Sequence, residues 1–226
     1  MDQLTGTLAG VDAVIFDLDG VLVDSEQTWD EVRRAMVAEQ GGQWREEATR
    51  ALQGMSTPEW SRYLVAELGV PLTAEEAADL VIGRMAQRYE QGPPVLPGAE
   101  QAVRAVGEQC PVAIASSSPP VLITAFLEAT NLTGLVRIAL SSEQVRAGKP
   151  APDVYLEAAA RLGVAADACI AVEDSTNGLR SALAAGMTVI GVPNPHFPPD
   201  PDVLAEVPVV LADLAELPDT VRRLLN

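Results

Sequence analysis

Asp17 and Asp19 stand two residues apart at the end of an apolar run, Ala13-Val14-Ile15-Phe16, and Gly20 follows at once. In extended backbone, residues i and i+2 point to the same side, so both carboxylates face one site. Gly20 lets the chain turn away without a side chain in the way. Two carboxylates about 4 Å apart repel by roughly 1 kcal/mol in water and about 4 kcal/mol near a protein surface, so a proton or a cation belongs between them. Ser116, Lys149 and the pair Glu173-Asp174 complete the set, each at or after an apolar, strand-like run. A cluster of carboxylate oxygens suits Mg²⁺, which also takes a phosphate oxygen. Ser116 and the amides after it, at a helix start, make an anion pocket. Lys149 lets an anionic group approach an anionic nucleophile. A carboxylate can attack phosphorus to give an aspartyl-phosphate, and a neighbouring acid can protonate the leaving oxygen. The residues alone do not say which aspartate attacks.

To bring these groups together the chain needs parallel strands whose carboxyl ends converge. Strands are predicted at Ala13–Phe16, Val112–Ser116, Arg137–Leu140, Cys169–Val172, Thr188–Val192 and Val207–Leu211. Helices are predicted at Gly98–Gln109, Pro120–Thr130, Asp153–Leu162, Asn177–Ala185 and Leu214–Leu225. Strand–helix alternation implies right-handed crossovers and a parallel sheet. Between Ser25 and Gly92 no strand is evident. Helices are expected there at Glu26–Gln40, Glu46–Leu52, Pro58–Leu68 and Thr73–Tyr89, the last opened by a Thr73…Glu76 capping box. The expected architecture is α/β: a doubly wound parallel-sheet, Rossmann-like core of residues 1–24 and 93–226, with a helical cap of residues 25–92 spliced in. Paired linkers near Asp24 and Gly92 suit a lid over the strand ends.

Composition narrows the partners. A net charge of -17, from 32 acidic and 15 basic residues, argues against nucleic acid or an anionic membrane as partner. Two scattered cysteines, Cys110 and Cys169, read as buried free thiols rather than a disulfide framework or zinc site. With His196 the only histidine, a Ser-His-Asp triad has little to work with; it is expected exposed in the proline-rich loop Pro193–Pro201. Met1–Gly10 carries no leader pattern, and no apolar run approaches the roughly 20 residues a membrane helix needs. A soluble, cytoplasmic monomer acting on a small molecule is expected.

Taken in order, Asp17-Leu18-Asp19-Gly20, Ser116, Lys149 and Glu173-Asp174 resemble the four motifs of the haloacid dehalogenase-like (HAD) hydrolase superfamily, and the resemblance covers essentially the whole chain. Three further stretches are similar to its helical-cap (subfamily I) members: Asp24-Ser25-Glu26, Gly148 to Tyr155, and Val172 to Gly178. Those members include sugar phosphatases, phosphoglycolate phosphatases and β-phosphoglucomutase-like enzymes. The resemblance implies Asp17 as nucleophile and Mg²⁺ ligand, and Asp19 as general acid/base with its backbone carbonyl on the metal. It implies Ser116 and Lys149 on the transferring phosphoryl group, Asp174 on the metal, and Glu173 on it directly or through water. Leu18, Gly20 and Ser117 are implied at the phosphate, and Trp29 on the substrate side of the cap hinge.

Asp19, absent from haloacid dehalogenases and replaced in phosphonatases, favours phosphate esters. The β-phosphoglucomutases carry a histidine where Trp29 stands and an arginine near Thr57, and this chain has neither. Asp24-Ser25-Glu26 with Trp29-Asp30, Leu96-Pro97-Gly98 and Ser118-Pro119 most resemble bacterial sugar- and hexitol-phosphate phosphatases of the 2-deoxyglucose-6-phosphatase type. The implied function is Mg²⁺-dependent hydrolysis of a sugar or polyol phosphate through an aspartyl-phosphate. The alternatives are a phosphosugar mutase, a phosphoglycolate phosphatase and a non-catalytic metabolite-binding protein. Trp44 and Trp60 are expected in the cap core, and Met55 either there or at the substrate.

Overall fold

The computed structural model describes residues 11–52, 55–195 and 197–225. Met1–Gly10, Gly54 and His196, each considered in the sequence, lie outside them. The first strand, β1 (Ala13–Phe16), is buried throughout. The chain then runs through four helices, α1 (Glu26–Glu39), α2 (Ala48–Ala51), α3 (Thr57–Ala66) and α4 (Ala74–Glu90). After α5 (Ala99–Gly107) the sheet resumes with β2 (Val112–Ser116), α6 (Pro120–Ala129), β3 (Val136–Ser141) and α7 (Asp153–Leu162). It continues through β4 (Cys169–Glu173), α8 (Thr176–Ala184), β5 (Thr188–Gly191), α9 (Pro201–Leu204), β6 (Val209–Val210) and α10 (Leu217–Leu224).

The strands form one parallel sheet in the order β3-β2-β1-β4-β5-β6. Successive strand residues face opposite ways, and both faces of β1 are covered, which is why its sequence is apolar without alternation. Val14 and Phe16 enter a core built with α5, α6 and α10. Ala13 and Ile15 enter a second core with α7 and α8. The result is the doubly wound α/β architecture read from the sequence.

The strand order reverses between β1 and β4, and open α/β sheets bind ligands in the crevice this creates at the carboxyl ends. Register then decides who meets whom. Phe16 pairs with Val172, so Asp17 comes to lie beside Glu173. Phe16 also pairs with Ile114, which brings the end of β2 alongside.

Helices α1 to α4 carry a hydrophobic cluster of their own, including Trp29, Met36, Trp60, Leu64, Val81 and Met85, and it meets the core through Leu122 of α6. Entry and exit are side by side: Val23 bridges Val95, the Asp24 N–H donates to the Pro94 carbonyl at 2.8 Å, and the Leu96 N–H donates to the Leu22 carbonyl at 2.9 Å. The expected capping box at Thr73 and Glu76 is present.

Three elements differ from the sequence reading: the strand expected over Val207–Leu211 is only Val209–Val210, and two helices depart from it. The helix expected over Glu46–Leu52 is a four-residue turn, Ala48–Ala51, with only Ala48 buried inside it, too short to present an apolar stripe. A short helix, α9, stands where only loop was expected. Pro201 starts it, its missing N–H costing nothing at a helix N-terminus. Among the described residues no helix is long and apolar enough to cross a membrane.

Candidate active site

The carboxyl ends of β1 and β4 bring Asp17, Glu173 and Asp174 together, with one carboxylate oxygen from each within 4.8 Å of the others. All three are buried. Lys149, on the loop before α7, reaches between them, donating to Asp17 Oδ1 at 2.7 Å and to Glu173 Oε1 at 2.6 Å. The Tyr155 hydroxyl donates to the same Glu173 oxygen at 2.8 Å, and the Asp174 N–H donates to Glu173 Oε2 at 3.0 Å. Two carboxylates therefore share one ammonium, and the third, Asp174, stands beside them with no cation paired to it among the described residues.

This imbalance shows in the proton affinities. Burial, then the charge of Glu173, pushes the Asp17 carboxyl up to about 8, against the pull of Lys149. Burial and the charges of Glu173 and Asp17 hold Asp174 well above the usual carboxylate range. For Lys149, burial works against the charge, but the Asp17 and Glu173 carboxylates outweigh it and hold the ammonium above the ordinary lysine range. Burial, with the charge of Glu173, raises Tyr155 far enough to keep it a proton donor.

A divalent cation fits this cluster. The donor set is all oxygen, and two uncompensated negative charges remain when every carboxylate is ionised. Asp174 Oδ1 is buried without a hydrogen-bond partner. Gly20, at φ +81°, passes so close that a Cβ there would collide with the Asp174 carboxylate. Gly178, in the first turn of α8, stands equally close to the Glu173 carboxylate.

Asp19 stands apart from the three-carboxylate cluster. Its Oδ2 accepts from the Ser118 hydroxyl at 2.6 Å and from the Ser116 hydroxyl at 3.3 Å. Its Oδ1 accepts from the Ser25 hydroxyl and, at 3.3 Å, from Trp29 Nε1. Four donors from two stretches of chain, the end of β2 and the start of α1, thus fix the second aspartate.

The other expected residues divide. Ser116 is fully buried and accepts from the Ser118 N–H at 2.9 Å. Ser117, Ser118 and Ser175 line the pocket, and among them the Ser117 Oγ has no partner. Leu18 has its side chain in the core, so only its backbone can serve a phosphate. Trp29 does reach the site.

The pocket above Asp17, Asp19 and Lys149 is walled by the helical insertion through Glu26, Trp29, Arg33, Leu52, Met55 and Trp60. Trp60 therefore both packs the insertion and faces the pocket. Arg33 was missed, although Glu26, Trp29 and Arg33 fall at i, i+3 and i+7, one face of α1. Trp44 stays away from the pocket, stacked under Arg34 at 4.8 Å.

A family model of haloacid dehalogenase-like hydrolases matches residues 11–186. Hexitol phosphatase B of Escherichia coli (strain K12) is 37% identical over 213 residues, 91% of this chain and 93% of its own. The crystal structure of a HAD family hydrolase from Deinococcus radiodurans R1, with bound phosphate and sodium, is 30% identical. It superposes with a TM-score of 0.69 over 96% of this chain and 97% of that one. A β-phosphoglucomutase from Clostridium difficile, at 21% identity and a TM-score of 0.80 over 96% of this chain and 97% of its own, shares the fold. By sequence, by fold and by the grouping of acids at its strand ends, the chain belongs to the haloacid dehalogenase-like hydrolases.

Proposed function

We propose that this phosphoric monoester hydrolase is a Mg²⁺-dependent phosphatase of a sugar or polyol phosphate, working through an aspartyl-phosphate on Asp17. Residues 1–24 and 93–226 are its catalytic core and residues 25–92 its cap. The observation that carries the proposal is the buried Asp17–Lys149–Glu173 bridge beside a partnerless Asp174 oxygen, with Asp17 and Lys149 lining a pocket that Asp19 also lines. The similarity to hexitol phosphatase B points to the substrate class.

Asp17, Glu173 and Asp174, with the main-chain carbonyl of Asp19, would hold Mg²⁺. When bound, the ion supplies positive charge against the carboxylates and the phosphoryl oxygens. Lys149 fixes Asp17 by one oxygen and adds a second cation where the phosphoryl group must approach. The Ser117 hydroxyl, which has no partner, is free to bind the phosphate. A carboxylate oxygen of Asp17 attacks phosphorus, the bond to the ester oxygen breaks, and Asp19 gives that oxygen its proton. Water then attacks the aspartyl-phosphate, Asp19 takes its proton, and Asp17 returns as phosphate leaves. The insertion above the pocket excludes bulk water during the first half. Buried free thiols at Cys110 and Cys169 suit the reducing cytoplasm expected from the sequence.

Asp17→Asn is expected to lower Mg²⁺-dependent phosphate release by more than about 10³-fold with the circular dichroism spectrum unchanged; undiminished turnover in that variant removes the nucleophile from Asp17. A phosphosugar mutase is the second reading, favoured by the fold shared with a β-phosphoglucomutase and by a buried cation, Arg33, in the cap wall. Conversion of a hexose 1-phosphate to its 6-phosphate faster than phosphate release decides for it.

A further inference from the structure

Arg33 keeps only 7% of its surface exposed, yet its guanidinium has no hydrogen bond and no ion pair among the described residues. Its central carbon lies 4.7 Å from the Trp29 ring and 5.1 Å from the Trp60 ring. Two aromatic faces hold such a cation in place, but they satisfy none of its five N–H donors. A buried charge without an acceptor is costly, and it marks a place where a ligand supplies what the protein withholds. Arg33 lines the pocket that holds Asp17, Ser117 and Lys149. Glu26, two turns earlier on the same face of α1, lines the same pocket and also lacks a hydrogen-bond partner among the described residues.

What the acceptor is follows from the charges around it. Arg33 feels the negative fields of Glu26, Asp19 and Asp30. A second phosphate placed there would meet one guanidinium and several carboxylates. An uncharged chain of hydroxyl groups meets both needs at once, since each hydroxyl accepts and donates. Leu52 and Met55 complete the wall with apolar surface for its carbon atoms.

We propose that Arg33 and Glu26 are a specificity pair that reads the hydroxyls of an uncharged polyhydroxylated chain, Arg33 donating and Glu26 accepting, while the ester phosphate lies at Asp17, Ser117 and Lys149. The proposal rests on the phosphatase reading and gives it a substrate class: monophosphates with a polyol tail, not bisphosphates.

The test compares kcat/KM for a hexitol phosphate with that for propyl phosphate, which has no hydroxyls to read. In Arg33→Met the hexitol-to-propyl ratio is expected to fall by about 30-fold, chiefly through KM, as loss of one charge-assisted hydrogen bond implies. Without substrate the same variant is expected to melt about 3 °C higher, because an unpaired buried charge is gone; a purely structural arginine would melt lower. Glu26→Gln, which keeps shape, is expected to lower the ratio by about 10-fold and carries the test by itself if Arg33→Met does not fold. Arg84→Met, on an exposed ion pair with Glu39 in the same insertion, is expected to leave the ratio alone.

A ratio within about 3-fold of wild type in both pocket variants overturns the pair while leaving the phosphatase intact. A hexose bisphosphate that outperforms the hexitol phosphate and is lost selectively in Arg33→Met overturns it in favour of a second phosphate subsite. A wild-type protein inert toward every ester overturns the phosphatase reading and this pair with it.

Discussion

At Asp17 protonation and metal binding compete for one carboxylate. Its carboxyl titrates near 8 in the folded, metal-free protein, against 3.8 for the ordinary side chain. Between those values the unfolded chain has released a proton that the native protein retains. The native state then binds more protons, so this group's contribution to stability is full below about pH 4 and is lost as pH rises toward 8. A divalent cation takes the proton's place and relieves the same repulsion. Mg²⁺ is therefore expected to raise the melting temperature little near pH 5 and by about 5–10 °C at saturation near pH 8. Melting curves in Mg²⁺ and in chelator across that range check it, and a Mg²⁺ increment independent of pH contradicts the carboxylate assignment. Asp174, raised by the same causes, reinforces the trend.

The element that makes this cluster possible is the turn leaving β1. At φ +81°, Gly20 occupies backbone space that costs other residues roughly 1–2 kcal/mol, and a Cβ there would run into the Asp174 carboxylate. Gly20→Ala is expected to weaken Mg²⁺ binding by more than about tenfold, because Asp174 must move to admit the methyl group. Titration calorimetry reads this directly; unchanged affinity would show that Asp174 is no ligand. The turn was legible in the sequence because a glycine directly after two carboxylates has few other uses. Strand ends were legible too, since buried parallel strands read as apolar runs that stop where polar groups begin. Helix α2 was not, because its residues have fair propensity but no stripe long enough to bury. Arg33 was hidden for a different reason. Its neighbours Trp29 and Trp60 come from α1 and α3, and only tertiary packing sets two aromatic rings around one guanidinium.

On the scale of the whole molecule, insertion and core also meet outside the pocket. Arg50 of α2 lies 3.6 Å from Asp200, just before α9, and Arg180 of α8 reaches the same carboxylate at 3.6 Å. These pairs are solvent-exposed, and such contacts contribute between about 0 and 1 kcal/mol. Asp200→Asn is accordingly expected to raise KM by less than about fivefold, with the difference disappearing above roughly 0.5 M salt as screening removes the pair; a larger or salt-independent effect would assign Asp200 a role beyond holding the cap. The helical run between β1 and β2 was readable from the loss of strand patterns after Ser25 and their return after Gly92. The contacts closing it onto the core were not, since they depend on surface side chains brought close by folding. One consequence lies in the paired segments around Val23 and Val95. Because the chain departs and returns through hydrogen-bonded neighbours, the intervening helices can lengthen, shorten or be exchanged without moving any sheet register. Ancestry can thus revise the choice of molecule in one stretch of sequence while preserving the reaction in another.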